Sequence, residues 1–194
     1  MKILGRFPST RLRRVRNSNW IRRLISENNL SSNDLILPVF LIEGKNKVEK
    51  IPNMPGVYRY TIDNLSKILD ETSRYKIPMV ALFPCTPNKK KDENGLEALN
   101  ENNLICRAIK FIKKKYKSFG VMTDVALDPY TSHGHDGIIK KGKIDNDETI
   151  KILQKQSILQ AEVGADVIAP SDMMDGRIGQ IRKVLEKKKL KDTK

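Results

Sequence analysis

Four blocks of apolar residues follow one another from residue 35 onward, each separated from the next by an amphipathic segment. The blocks are "LILPVFLIEG" (35–44), "PMVALFPC" (78–85), "FGVMTDVALD" (119–128) and "ADVIAPSD" (165–172). Short, continuous apolar runs that contain β-branched residues are typical of strands buried on both faces of a sheet. The sequence therefore predicts four buried strands.

Each predicted strand is followed by a segment with apolar residues at helical spacing. In the first segment these residues are Ile62, Leu65, Leu69 and Thr72, and in the second they are Leu104, Ile105, Ala108, Ile109, Ile112 and Tyr116. The third helix is predicted over 148–163 and the fourth over 175–189. Gly164 is well placed to end the third helix in a left-handed cap.

Four strand–helix units in series predict an α/β fold with a parallel sheet and helical crossovers. An open doubly wound sheet would be supported by a glycine fingerprint after its first strand, and the sequence has none. A (β/α)8 TIM barrel gathers its functional side chains at the carboxyl ends of its strands, and we favour it because polar residues collect there. These residues are Cys85, Thr86, Asp124, Asp128, Ser171 and Asp172. The pattern alone leaves open half a barrel or a small four-unit fold.

The chain is strongly basic, with 37 Lys and Arg against 23 Asp and Glu, a net charge of +14. Its lysines fall mainly on predicted outer faces and last turns of helices, as in "KFIKKKYK" (110–117). Neither interleaved aromatic residues for base stacking nor a P-loop is present. The sequence favours a solvated surface without nucleic-acid binding. A basic α/β module that binds nucleic acid or an acidic partner is the alternative function.

The compartment is predicted from the N-terminus and the thiols. No apolar run approaches the length of a membrane-spanning helix, and the N-terminus lacks a secretory signal. The N-terminal segment is rich in Arg and free of acidic residues up to Glu27, which faintly resembles an organellar transit peptide. Cys85 and Cys106 have no CxxC spacing, so we expect both to be small buried residues in a reducing compartment. We predict the cytoplasm ahead of a plastid or another organelle.

Polar residues at two predicted strand ends offer catalytic or structural roles. Asp124 lies inside an apolar strand, where a carboxylate is costly unless it is paired or hydrogen-bonded. It is therefore either a catalytic or substrate-contacting group, or a structural one bonded to loop amides. Ser171 and Asp172 either contact substrate or cap the helix behind them, and both roles can hold together.

The loop after the third predicted strand contains His133 and His135, the only histidines in the chain. Their spacing is a weak metal signal, because zinc normally takes thiolates or three clustered nitrogen and carboxylate ligands. Asp128 and Asp136 flank the loop, and carboxylates suit a hard ion such as magnesium better. Spacing alone favours a polar lid loop without a metal. No lysine stands at the carboxyl end of a predicted strand, so any amine nucleophile lies elsewhere.

Four motifs resemble the N-terminal part of the δ-aminolevulinic acid dehydratase (porphobilinogen synthase) family. They are "RLRRVRNSNWIRRL" (11–24), "MPGVYRY" (54–60), "DVALDPYTSHGHDG" (124–137) and "IAPSDMMDGRIG" (168–179). The resemblance implies a (β/α)8 barrel with an N-terminal arm that embraces a neighbouring subunit in a homo-octamer. It also implies condensation of two 5-aminolevulinate molecules to porphobilinogen in tetrapyrrole (heme) biosynthesis.

The resemblance also assigns site residues. Asp124 resembles the family's active-site aspartate, and Ser171 resembles the serine near the substrate that forms the first Schiff base, with Asp172 beside it. Ala126, Asp128 and Asp136 stand where zinc-dependent members carry three cysteines. This implies an enzyme without zinc that responds to magnesium, with Asp128 and Asp136 as candidate ligands.

The resemblance implies that the two Schiff-base lysines and the allosteric magnesium ligands of the family correspond to positions after residue 194. Lys191 and Lys194 match neither lysine. We therefore predict an N-terminal arm over 1–33 and the first half of a barrel over 34–194. A chain of this extent is expected to be inactive by itself.

Overall fold

The computed structural model describes residues 5–194, and residues 1–4 of the predicted arm lie outside the described residues. The chain divides into two compact units between Ser31 and Ser32. The first unit contains a 3-10 turn at Arg14–Arg16 and helix α1 at Asn19–Leu24. It exposes several large apolar side chains, among them Phe7, Leu12, Trp20, Leu24 and Leu30.

The second unit is built on a six-stranded sheet. Its strands are β1 (Ile36–Ile42), β2 (Val48–Lys50), β3 (Tyr58–Tyr60), β4 (Met79–Cys85), β5 (Gly120–Val125) and β8 (Val167–Pro170). They lie in the order β2-β3-β1-β4-β5-β8, and all neighbours are parallel except β2 and β3. A separate two-stranded hairpin joins β6 (Ile139–Lys140) to β7 (Lys143–Ile144).

Helical crossovers connect the parallel strands. They are α2 (Leu65–Arg74), α3 (Leu104–Lys115), α4 (Asn146–Val163) and α5 (Arg177–Lys187). Side-chain caps begin two of them: Asn103 accepts from the Cys106 amide at α3, and Asp145 accepts from the Glu148 amide at α4. These caps satisfy amides that have no partner within the helix. The predicted left-handed cap at Gly164 is confirmed, with φ 117° and ψ 18°.

The two faces of this sheet differ. Side chains alternate between faces along a strand, so the parallel register assigns each residue to one side. On the covered face, packed under the helices, the register places eight buried residues: Val39, Leu41, Val80, Leu82, Val121, Thr123, Val125 and Ile168. Leu37, Pro84 and Pro170 lie on the same face near strand ends and are half-buried. The open face includes Pro38, Phe40, Phe83, Met122, Asp124 and Ala169, which are half-buried or exposed, and it also includes Ile42 and Ala81, which are buried. The prediction of strands buried on both faces is therefore wrong for this chain, since the four helices cover one face only.

Several predicted boundaries were too wide, and two hairpin-like features were missed. The third strand ends at Val125 rather than Asp128, and the fourth runs from Val167 to Pro170. The segment 50–60, between the first predicted strand and the first predicted helix, contains the last residue of β2 and all of β3, and the segment 137–144 contains β6 and β7. Two- and three-residue strands are too short to show a hydrophobic period.

The last residues of the chain add to the outer edge of β8. The Lys194 amide donates to the Asp166 carbonyl at 2.9 Å, and the Ile168 amide donates to the Lys194 carbonyl at 2.9 Å. Arg182 of α5 donates to the Thr193 carbonyl at 2.6 Å. Within residues 5–194, no helix is both long and apolar enough to cross a membrane.

Candidate active site

A cavity of about 290 Å³ lies at the carboxyl ends of β1, β4 and β5. The structure brings together four residues that the sequence predicted at strand ends. The lining residues are Phe40, Arg59, Phe83, Pro84, Cys85, Thr86, Lys91, Asp124, Asp128 and Pro129. Two carboxylates and two cations therefore share one mouth, beside the stacked rings of Phe40 and Phe83. Such a mouth suits a small substrate that carries both a positive and a negative group.

Asp124 is the central carboxylate of this site. It projects from the open face of β5, and its Oδ1 accepts a 2.6 Å hydrogen bond from the Ser171 hydroxyl. Partial burial raises the pKa of Asp124, and the Ser171 hydrogen bond opposes that rise by stabilising the carboxylate. A carboxyl group whose pKa is raised by burial and that borders a cavity is a candidate for proton transfer.

The backbone of Asp124 is held from the covered face. Gln160 of α4 is fully buried, accepts from the Thr123 hydroxyl at 2.7 Å and donates to the Asp124 carbonyl at 3.4 Å. One turn earlier, the buried Gln156 donates to the Ala126 carbonyl at 3.3 Å. These amides satisfy carbonyls just where β5 ends.

Asp128 lies three residues past β5 and lines the same cavity. Partial burial raises its pKa, and the negative charge of Asp136 raises it further, while the positive charge of Lys91 lowers it. Asp136 itself is absent from the cavity lining and lies 2.9 Å from Nδ1 of His135. The two predicted magnesium ligands are therefore close enough to repel each other, but only Asp128 borders the cavity.

The histidines make contacts within their own loop and, through His133, with the loop between β4 and α3. The ring of His133 contacts the Glu93 carbonyl at 3.2 Å, and its Nδ1 accepts from the His135 amide at 3.1 Å. His135 Nδ1 lies 3.0 Å from the Gly137 amide, which donates to it. These contacts give both side chains a structural role in the loop.

The side chains around Asp128 determine which metal ion could bind there. Position 126 is a buried alanine and offers no donor, and the remaining candidates, Asp128 and Asp136, provide oxygen only. Carboxylate oxygen suits magnesium, which keeps several waters, and is a poor match for zinc in the absence of thiolates. Among the described residues 5–194, no three His, Cys, Asp or Glu side chains are grouped closely enough to hold a metal ion.

Ser171 and Asp172 lie on different sides of the chain, although they are adjacent. Ser171 is exposed and reaches Asp124, whereas the Asp172 side chain has no exposed surface. Burial raises the pKa of Asp172, and the Met174 amide and Arg177 lower it. Of the three predicted catalytic residues, only Asp124 and Ser171 contact each other.

Some residues at the site were not predicted. Arg59 was part of a recognised motif but received no role, and Lys91 reaches the cavity from a loop rather than from a strand end. The buried glutamines Gln156 and Gln160 were also missed. Their spacing of four, on the apolar face of α4, is the sequence pattern that could have identified them. Cys85 is exposed, contrary to the prediction that both cysteines are buried, because it ends β4 on the open face. Cys106 is buried as predicted, and burial raises its thiol pKa to about 11.

The comparisons with known proteins agree on one family. The family model described as "Delta-aminolevulinic acid dehydratase" matches residues 9–194. A relative with that name from Bradyrhizobium diazoefficiens is 51% identical over 182 residues, which is 94% of this chain and 52% of the relative. A Ruminiclostridium josui relative of the same name is 41% identical and is matched over 85% of its own length.

A solved structure gives the same result for the fold. The Toxoplasma gondii delta-aminolevulinic acid dehydratase (porphobilinogen synthase), in complex with its reaction product porphobilinogen, superposes with a TM-score of 0.90 at 39% identity. The match covers 94% of this chain and 52% of that one. The chain thus spans about half the length of most of the relatives it matches. The predicted resemblance and the predicted barrel class are both confirmed, with this chain supplying part of the barrel.

Proposed function

The chain belongs to the delta-aminolevulinic acid dehydratase family, and we propose that the protein containing it is a porphobilinogen synthase. This lyase condenses two molecules of 5-aminolevulinate and releases two waters, giving porphobilinogen for heme and related tetrapyrroles. The observation that carries the proposal is the hydrogen bond between Ser171 and Asp124 at the mouth of a cavity that holds both charge signs. The product bound to the Toxoplasma gondii relative supports the same reaction.

In this proposal, Asp124 moves protons at the substrate amine. Partial burial raises the pKa of this carboxyl group and the Ser171 hydrogen bond opposes that rise, and the group lines the cavity, where it could exchange a proton with a bound substrate. Ser171 also orients the carboxylate toward the cavity. The two Schiff-base lysines implied by the family resemblance belong to strands after residue 194, so this half of the barrel supplies acid–base and positioning groups.

We further propose that the enzyme uses magnesium rather than zinc. Asp128 and Asp136 would hold the ion near the cavity, and the family resemblance places the allosteric magnesium ligands beyond residue 194. A bound magnesium ion would supply positive charge that offsets the repulsion between the two carboxylates. Arg59 and Lys91 would remain the cationic side of the mouth.

The proposed assembly is a homo-octamer formed through the N-terminal arm. The support is the exposed apolar side chains of the first unit, including Phe7, Trp20 and Leu30, because patches of this kind mark protein contacts. The proposed compartment is the cytoplasm, supported by the free thiols of Cys85 and Cys106. A relative from Chlamydomonas reinhardtii is named as chloroplastic.

The experiment is an assay of the full-length protein with 5-aminolevulinate, following porphobilinogen colorimetrically. Borohydride added during turnover should trap a covalent adduct, and peptide mapping should place it after residue 194. The Asp124→Asn variant serves as the matched control, because it should bind substrate while forming little product. A folded wild-type protein that forms no porphobilinogen at any magnesium concentration would refute the proposal.

A further inference from the structure

Ser171 and Asp172 have separate partners on opposite sides of the chain. Successive residues of an extended segment point in opposite directions, and Ser171 points toward Asp124 of the open face. Asp172 therefore points away from the cavity, and its side chain has no exposed surface. Asp172 is accordingly absent from the residues that line the cavity beside Asp124.

Asp172 closes a ring of contacts with Met174 and Arg177. Its Oδ1 accepts from the Met174 amide at 2.8 Å, and its Oδ2 forms an ion pair with Arg177, 3.0 Å from Nε, without a hydrogen bond between these two atoms. Arg177 completes the ring by donating from Nη1 to the Met174 carbonyl at 3.0 Å. A buried carboxylate is tolerated only with such partners, so the ring fixes the turn that follows β8.

The same turn is tied to α4. The Asp175 amide donates to the Asn146 side-chain oxygen at 2.8 Å, and the Asn146 amide group donates back to the Asp175 carbonyl at 3.3 Å. Gly176 then takes a left-handed conformation, φ 77°, which admits the sharp entry into α5. The segment from Ser171 to Gly176 is thus anchored on both sides, and its first residue presents the hydroxyl to Asp124.

We propose that Asp172 and Arg177 are positioning residues, which hold Ser171 at hydrogen-bond distance from the Asp124 carboxylate. This inference rests on the proposed function and deepens it, and it replaces the catalytic role predicted for Asp172. A displacement of about 1 Å at a reacting group can cost about a hundredfold in rate. The ring is therefore a means of keeping the short Ser171–Asp124 contact during turnover.

The test is a double-mutant cycle in the full-length enzyme. Arg177→Met should lower kcat by about tenfold to a hundredfold and leave KM within about threefold, because the variant disturbs geometry at the reacting groups. In a Ser171→Ala background, the same Arg177→Met change should lower kcat by less than about twofold, because the contact it protects is already absent. Arg177→Lys keeps the cation and should recover part of the loss.

The matched control is Arg107→Met, which removes another half-buried arginine ion pair, with Glu43 at 2.6 Å. It should lower the melting temperature without any coupling to Ser171. If Arg177→Met lowers kcat by the same factor in both backgrounds, its role is general stability and the proposal is overturned. If Arg177→Met does not fold, the cycle is run with Arg177→Lys. A smaller loss of kcat in the Ser171→Ala background would then support the proposal, and an equal loss in both backgrounds would overturn it.

A crystal structure of the variant separates this inference from the proposed function. The proposal expects the Ser171–Asp124 contact to open in Arg177→Met, whether or not the protein forms porphobilinogen. An unchanged contact would overturn the positioning role and leave the proposed enzyme activity intact. A wild-type protein with no synthase activity would refute the proposed function, and the contact in the variant would still decide the positioning role.

Discussion

The covered and open faces of the sheet are formed by the same strands, but the covered face packs the core and the open face borders the cavity. On β5, Val121, Thr123 and Val125 point under the helices and are fully buried, while Met122 and Asp124 between them remain partly exposed. On β4, Val80 and Leu82 are buried and Phe83 borders the cavity. Because alternate residues of a strand point to opposite faces, a substitution on the covered face should mainly lower stability. A substitution at the next residue, on the open face, should mainly lower activity.

The largest expected effect is on the open face. Asp124→Asn should lower kcat by about 10²–10⁴ in the full-length enzyme, because positioned acid–base groups contribute about that much. The melting temperature should change little, because the amide keeps the shape of the side chain and can still bond to Ser171. The control is Asp70→Asn, which alters a surface carboxylate bonded to Tyr116. Normal turnover in Asp124→Asn would contradict the claim that the open face carries the chemistry.

On the covered face, Leu82→Ala should lower the free energy of unfolding by about 2–5 kcal/mol, through lost burial and a residual cavity. Turnover per folded molecule should stay near wild type, because Leu82 points away from the cavity. Chemical denaturation and active-site counting measure the two quantities. Ile36→Ala, at a strand end that is 46% exposed, is the control and should cost much less. Equal costs would contradict the separation of the faces.

A smaller effect is expected from Ser171→Ala on the pH dependence. The Ser171 hydrogen bond lowers the pKa of Asp124, so removing it should raise that pKa. If the ionised form of Asp124 is required, activity is lost as pH falls through its pKa, and this loss should begin at a higher pH in the variant. The pH profile of kcat/KM measures the shift. A shift of the acid limb to lower pH would show that another group controls it.

The smallest expected effect follows removal of zinc. A zinc-selective chelator should leave activity unchanged, and added magnesium should increase it, because Asp128 and Asp136 offer carboxylates, position 126 is an alanine, and none of the three positions offers a thiolate. Metal analysis of the purified enzyme by mass spectrometry accompanies the assay. Stoichiometric zinc, with activity lost on its removal and regained on its return, would contradict this prediction.

Much of the fold followed from local patterns, because long helices and apolar runs carry periodic signals. The helix over Asn146–Val163 began within two residues of its predicted start, and the cap at Gly164 was recognised. The exposure of the open face did not follow, since a run such as "PMVALFPC" has the same composition whether one or both faces are covered. Nor could the sequence assign Lys91 to the cavity, because a loop lysine has no period and its reach depends on tertiary structure.

The site shows the same division. Asp124 was identifiable because a carboxylate inside an apolar strand is costly unless it has a partner or a function. Ser171 was identifiable because it follows another strand of the same parallel sheet, and the carboxyl ends of such strands lie at one edge. The opposite orientation of Asp172 depended on where β8 ends and on the partner Arg177, five residues later. Sequence proximity alone placed Ser171 and Asp172 in one role.

The two buried glutamines of α4 also bear on how uniquely this helix is placed. An apolar helix can slide by a turn over a sheet of Val and Leu at modest cost, because hydrophobic contact has little directionality. Gln156 and Gln160 lie one turn apart and bond to the Ala126 and Asp124 carbonyls, which are two residues apart on the strand. A slipped helix would leave these amides without partners in a dry interior. Helix α4 is therefore held in a single register against β5. The same contacts, made from the covered face, fix the backbone position from which the Asp124 carboxylate projects into the cavity.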